Sequence, residues 1–380
     1  MGRFAGKIID AHCHVGLLGD TWPEWGSLSR QFLRSPAFPV FALYGRIARG
    51  EISDRVLRDK TEELLSQSEL DHVVCLAMDY TRDAQGRPDA ERTGMYVSNE
   101  YVLELRRSVG ERVLLGASVH PYAERFEDEV KRWVDQGAVL LKWLPSAQAI
   151  DLASEKAAAA LRSLAHLGPR GRALPLLLHT GAEYAVPPAA SDTPSLDFLS
   201  WSRVDDLWNL ARRWRRPDGT RIEEHLRAAI AEGAVIILAH AGLPYFEPRW
   251  MGGYWEHSDF EAVRKHLARP LGVGERPGRA YADVSAICTP FRKTYFGDLK
   301  ALPAERLIYG SDFPTPIFEL SADWEEVQHD FKAVMAGDLS RIVVPQGNLL
   351  NASLRELRLA FGADHPMFTN FGQLLDELGY

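Results

Sequence analysis

Short apolar runs ending on a polar or histidine residue alternate along this chain with longer segments of helical period. Eight such runs occur, at 7–14, 71–78, 113–120, 138–144, 174–179, 234–240, 279–285 and 306–312. Most are nearly continuous in Val, Ile, Leu and Ala, the pattern of parallel strands buried on both faces. Between them, 54–68, 99–108, 126–136, 154–167, 222–232 and 324–335 read as helices, and Gly137 and Gly233 stand directly before strands, where a helix-ending left-handed residue is wanted. This alternation predicts an α/β fold, and eight repeats close most simply into a (β/α)8 TIM barrel with its active site at the C-terminal strand ends. The rival is an open doubly wound sheet. That fold normally carries a Gly-rich turn after its first strand, whereas this strand ends Asp10-Ala11-His12-Cys13-His14. Three connections, 15–52, 184–220 and 243 to about 269, are long and follow strand ends, so long loop insertions are expected over the C-terminal face. No linker or repeat divides the chain. The expectation is one domain over 1–380, with the barrel over about 7–361 and a helical tail at 348–380 whose last part packs on the outside.

Composition narrows the classes. Hydrophobic residues make up 46% and charged residues 25%, enough apolar material for a large core. Lys plus Arg number 44 against 52 for Asp plus Glu, a net charge of −8 that lacks the positive excess a phosphate backbone requires. Nucleic acid is therefore not an expected partner; a small-molecule substrate is, and the oligomeric state stays open, a homo-oligomer included. The 3 cysteines (Cys13, Cys75, Cys288) are too few and too scattered for a disulfide framework, which favours a reducing compartment, the cytoplasm by default. With no apolar signal region at the N-terminus and no apolar stretch of roughly 18 residues, neither export nor membrane insertion is expected.

The chemistry sits at the strand ends. Residues two apart on a strand share a face, so His12 and His14 project together while Cys13 points the other way. Alone, such a pair is as well explained by structural histidines as by a metal ion. Four further strands also end in potential ligands: Lys142, His179, His240 and Asp312. In a closed barrel these ends converge on one axial pocket, which makes a common cause more economical than separate coincidences. Imidazoles, a carboxylate and a lysine suit a borderline divalent ion, most naturally Zn²⁺, which binds His nitrogen and Asp oxygen and keeps a position open for water. Asp10 reads as sharing the inward parity of the two histidines, where it either orients a ligand or forms a buried ion pair.

These motifs together resemble the amidohydrolase superfamily: His12-Cys13-His14 after the first strand, Lys142 after the fourth, His179 after the fifth, His240 after the sixth, Asp312 after the eighth. Ile9-Asp10, Ser311-Asp312-Phe313-Pro314 and Gly347-Asn348 are most similar to its amidohydrolase-related branch, which holds hydrolases and nonoxidative decarboxylases. The resemblance implies that His12, His14 and Asp312 hold one ion and His179 and His240 a second. Lys142, carboxylated by CO₂, would bridge them. It also implies that Asp312 is the general base. Decarboxylases of the branch generally use one ion, lack this lysine and free the residue equivalent to His240 for proton transfer, which makes His240 the second candidate catalytic residue. A metal-dependent hydrolase of an amide, ester or lactone is the leading expectation, a decarboxylase the alternative, and a metal-binding protein without catalysis the third.

For substrate contact the candidates are Trp143 and Tyr184, beside candidate ligands in sequence, Arg249 and His257 as carboxylate partners, and His120 at the third strand end. Asp283 and Ser285, near the seventh strand end, reach the pocket without a motif that assigns them a role. The aromatic residues of the long loops either wall an apolar pocket or pack those loops onto the barrel.

Overall fold

The computed structural model describes residues 2–35, 37–47, 52–83, 85–181, 183, 185–187, 189, 219–243, 259–268, 278–288, 295–315 and 344–380. Eight strands form one parallel sheet: β1 Ile9–His14, β2 His72–Leu76, β3 Val113–Ala117, β4 Ala138–Trp143, β5 Leu176–Leu178, β6 Val235–Leu238, β7 Arg279–Asp283 and β8 Leu307–Ile308, in spatial order identical to chain order. The sheet closes on itself. Ala11 N–H donates to Tyr309 C=O at 3.0 Å, Asp312 N–H to His12 C=O at 2.7 Å and His14 N–H to Phe313 C=O at 2.9 Å, so β1 is hydrogen-bonded to the segment that continues β8. The molecule is the (β/α)8 barrel that the alternation predicts.

Local signals place the helices between these strands. Ser53, Ser98 and Ser154 each accept a hydrogen bond from a backbone N–H in the first turn of helices Asp54–Ser66, Asn99–Val109 and Glu155–Ser163, satisfying donors that a helix start leaves open. Gly137 and Gly233 take positive φ (92° and 109°) directly before β4 and β6, a conformation that costs glycine nothing. The third long connection contains helix Asp259–Ala268, and the first contains helix Ala37–Tyr44 and a short strand, Gly26–Leu28, paired antiparallel with Met95–Val97. The expected helix at 324–335 lies outside the described residues. Among those described, no helix is long and apolar enough to cross a membrane.

Two apolar layers result. Val73, Cys75, Leu115, Leu141, Trp143 and Leu178 face outward into one cluster with helix residues such as Leu65, Tyr101, Val130 and Leu161. Ala11, Val74, Leu114, Leu140, Leu177, Ile237 and Ile308 fill the cylinder instead. The C-terminal helix Met367–Glu377 joins this second cluster through Phe371, Leu374 and Leu375. Phe4 N–H, just before β1, donates to Asp376 Oδ1 at 3.0 Å, and Asn370 Nδ2 donates to Leu307 C=O at the start of β8 at 2.8 Å. The last part of the tail therefore does not pack on the outside as expected. It seals the N-terminal mouth of the barrel, because that mouth exposes an apolar interior that the short strands leave uncovered.

Candidate metal centre

At β1 the strand alternation breaks. The pairing of β1 with β2 shifts register between Asp10 and Cys13. Ala11 stays in the barrel cluster, yet the next residue, His12, also turns inward: its Cβ is what an added methyl on Gly310 would meet at 2.7 Å. A bulge of this kind re-aims side chains at a functional edge. It removes Asp10 from the inward face. Asp10 Oδ1 instead accepts from His12 N–H at 3.0 Å and Ser311 N–H at 2.9 Å, tying β1 to the end of β8. Burial raises the Asp10 carboxyl to about 7 against the opposing effect of those bonds. The parity expected for Asp10 fails because the bulge lies between it and the histidines.

The inward side chains converge. His12 Nε2 lies 3.1 Å from His14 Nε2 and 3.2 Å from Asp312 Oδ1, and His14 Nε2 lies 3.3 Å from the same oxygen. Two ligands on a tetrahedral ion, with metal bonds of about 2.0–2.1 Å, stand about 3.3 Å apart. The triangle thus has the size and the donor chemistry of a metal-binding face. His240 Nε2 and His179 Nδ1 form a second pair at 3.3 Å, and Lys142 Nζ, on a completely buried side chain, stands 3.3 Å from His12 Nε2. A cluster of His12, His240 and Asp283 also falls within coordinating reach. There, however, Asp283 Oδ2 is 2.7 Å from His12 Nδ1, a hydrogen-bond separation well inside a ligand–ligand edge. Of the two groups, the first triangle has the spacing of a cation site.

Backbone strain helps to aim these groups. His240 and Asp312 both have φ of 57°, a left-handed conformation costing a non-glycine residue on the order of 1 kcal/mol or more. Asp312 keeps Oδ1 in the triangle while Oδ2 accepts from Thr315 Oγ1 at 2.9 Å. Burial would raise this carboxyl, but His12, His240 and His14 outweigh it and hold it well below the usual range, so Asp312 is ionised. His12 moves the other way, lowered by burial and then by Lys142, against the opposing pull of Asp283 and Asp312.

Three polar residues behind the donors carry no sequence motif. Asp283 Oδ2 meets His12 Nδ1, while its Oδ1 accepts from His240 N–H at 2.9 Å and Ser285 N–H at 3.0 Å. Ser285 Oγ lies 2.9 Å from His240 Nδ1 and 3.1 Å from His12 Nδ1. Glu183, four residues past His179, anchors Oε1 on the Ala185 and Val186 N–H groups and holds Oε2 3.5 Å from His179 Nε2. Burial raises the Glu183 carboxyl despite those backbone bonds. For Asp283 and Ser285 a signal existed: with Tyr281 they form one alternating face of the seventh run.

The substrate candidates fare differently. Trp143 faces outward with the helices, its Nε1 donating to Val119 C=O at 2.9 Å, because a residue next to an inward ligand on a regular strand must point away. His120 is completely buried and saturated: Nδ1 accepts from Tyr122 N–H at 3.1 Å and Nε2 donates to Gln148 C=O at 2.8 Å. Neither side chain is available to a substrate. Tyr184, Arg249 and His257 lie outside the described residues.

No family model matches the chain, and no curated protein matches it. Among solved structures it is similar to a probable 2-pyrone-4,6-dicarboxylic acid hydrolase from Acinetobacter baumannii with citric acid bound, at 13% identity over 89% of this chain and 96% of that one, TM-score 0.43. It is also similar to amidohydrolase 2 from Bifidobacterium longum subsp. infantis, at 14% identity over 98% of each chain, TM-score 0.47. A third is 2,6-dihydroxybenzoate decarboxylase from Rhizobium, at 16% identity over 95% and 99%, TM-score 0.40. At these values none of the three assigns a reaction to this chain; their names span the hydrolase and decarboxylase classes that the sequence resemblance leaves open.

Proposed function

We propose that this chain is a metal-dependent hydrolase that activates water to cleave an amide, ester or lactone of a small molecule. The observation that carries the reading is the triangle of His12 Nε2, His14 Nε2 and Asp312 Oδ1, with edges of 3.1–3.3 Å and with Lys142 Nζ beside it. His12, His14 and Asp312 would hold one ion, and His179 and His240 a second; the nitrogen-rich donor set favours Zn²⁺. When bound, such an ion lowers the pKa of a water ligand towards roughly 7 and polarises a carbonyl oxygen.

The protein's own groups do the rest. An ammonium at Lys142 is repelled by a dication, so the residue takes its place as a neutral amine or as the carbamate formed when that amine adds CO₂ and releases a proton. The carbamate is the form that would bridge two ions, and its formation is the reading we adopt. Asp312, held ionised, accepts the proton of the attacking water through Oδ1 and returns it to the leaving group, while Thr315 keeps the carboxylate from rotating. The sealed N-terminal mouth confines the reacting water and the substrate to the C-terminal face. Cys13, Cys75 and Cys288 are buried and none is in a disulfide, which supports a cytoplasmic protein.

Elemental analysis of the purified full chain, together with turnover on a panel of esters, lactones, amides and aromatic carboxylic acids, tests the reading. We expect two ions per chain, hydrolysis abolished by chelation and restored by metal, and an Asp312→Asn variant slowed by roughly 10²–10⁴-fold. One ion with release of CO₂ from an aromatic acid would transfer the protein to the lyases. A metal-free chain whose turnover ignores chelators would overturn the proposal.

A further inference from the structure

Serine carries a single hydroxyl proton, and at Ser285 its destination can be worked out by elimination. The shortest contact of Ser285 Oγ is to Asp283 Oδ1, at 2.5 Å, an oxygen that already accepts from the His240 and Ser285 N–H groups. The proton therefore goes to Asp283. Towards His240 Nδ1 at 2.9 Å the same oxygen can then only accept. Asp283 Oδ2, likewise an acceptor, faces His12 Nδ1 at 2.7 Å. Both imidazoles must consequently carry their proton on Nδ1, leaving the Nε2 lone pairs of His12 and His240 directed at the two donor sets.

We infer that Asp283 and Ser285 are positioning residues that serve both metal positions from one buried carboxylate, Asp283 holding His12 directly and His240 through the Ser285 hydroxyl. The inference rests on the proposed metal centre but adds an asymmetry to it. Removing the hydroxyl leaves the bond between His12 and the carboxylate in place and takes from His240 its nearer acceptor, leaving the Ser285 C=O at 3.4 Å as the weaker substitute. Removing the carboxylate charge disturbs both imidazoles, because an amide at 283 offers a donor where His12 or Ser285 needs an acceptor. Outer hydrogen-bond partners of metal-binding histidines typically govern affinity by 10–100-fold.

The test uses the full chain stripped by chelator and titrated calorimetrically with Zn²⁺ alone, for wild type, Ser285→Ala and Asp283→Asn, with thermal midpoints as the check on folding. Ser285→Ala should weaken one of two binding events by about 10–100-fold and leave the other within about threefold; Asp283→Asn should weaken both. Ser285→Ala removes one hydroxyl and no charge, so if Asp283→Asn fails to fold, the serine variant decides alone. Two unchanged affinities, or equal loss of both, in Ser285→Ala would overturn the inference. A second readout needs no metal: ¹⁵N spectra of histidine-labelled apoprotein at pH 8 should show His12 and His240 as Nδ1–H tautomers, with His240 alone losing that preference in Ser285→Ala. A wild-type chain that binds no ion would overturn the proposed function and the metal role inferred here together, whatever its tautomers; the opposite tautomers with two bound ions would overturn this inference alone and leave the proposed function standing.

Discussion

His120 provides a stability test that requires no knowledge of the substrate. Burial lowers its imidazole from an ordinary 6.5 to about 4, opposed mainly by the bond to Gln148 C=O, so the native protein holds it neutral. The unfolded chain protonates it near 6.5. Below that pH the unfolded state binds a proton that the native state refuses, so stability is complete above about pH 7.5 and falls as the pH drops towards about 4. At pH 5 the unfolded state has gained about 1.5 log units of protonation and the native state almost none. At about 1.4 kcal/mol per unit, the loss relative to pH 8 is about 2 kcal/mol. His120→Gln keeps a donor and an acceptor but cannot titrate. The assay is urea unfolding of both proteins at pH 5, 6, 7 and 8 in one buffer at one metal concentration, so that every other titrating group contributes equally and cancels in the difference. The variant will be less stable at pH 8, since its side chain cannot match both contacts; only the slope is diagnostic. Wild type should lose about 2 kcal/mol more than His120→Gln between pH 8 and pH 5. Parallel curves would show that the imidazole is not held neutral, and would return His120 to the candidates for substrate contact.

Three further outcomes follow from the same geometry. Lys142→Ala should lower metal content and rate together, with partial recovery on adding short carboxylic acids; full metal and full rate in elemental analysis and kinetics would remove the lysine from the centre. Gly310→Ala would place a methyl carbon 2.7 Å from His12 Cβ and 3.1 Å from Ser285 Cβ. We expect a cost of about 1–3 kcal/mol in urea unfolding and weaker Zn²⁺ binding, against no change if β1 can yield. Asp54, completely buried, accepts four backbone N–H groups of the first loop, from Leu18, Gly19, Thr21 and Trp22. Asp54→Ala should cost about 2 kcal/mol or more by stranding them, and Asp54→Asn visibly less; equal losses in denaturation would contradict the account.

How much of this centre was legible beforehand depends on where each residue sits relative to the regular strands. Lys142 stands inside β4 and His179 directly follows β5, so the period-two rule reaches both. His240 and Asp312 lie past the ends of β6 and β8, where left-handed backbone does the aiming, so their place at the end of an apolar run and the resemblance of motifs pointed to them, and strand periodicity did not. Trp143 and His120 were misread for opposite reasons. The first was judged by nearness in sequence to a ligand, although neighbours on a strand face apart. The second was judged by its place at the end of an apolar run, although the contacts that saturate it come from Tyr122 in the following turn and from Gln148 in the short helix Pro145–Gln148. The last part of the tail was placed on the outside, because a helical pattern states that a face must be buried and not against what.

What the chain alone determined is therefore local and periodic: which segments are strands, which bury both faces, where helices begin, and which imidazoles and carboxylates stand near strand ends. Tertiary structure decided the register. His12 and Asp283 are separated by 271 positions and meet at 2.7 Å because β1 bulges and the sheet closes, bringing β7 and β1 to opposite sides of the same residue. Strand periodicity is written in neighbouring residues and can be read from them, whereas closure and bulging are chosen by the packing of the whole barrel, in which no single segment holds the deciding share of the energy.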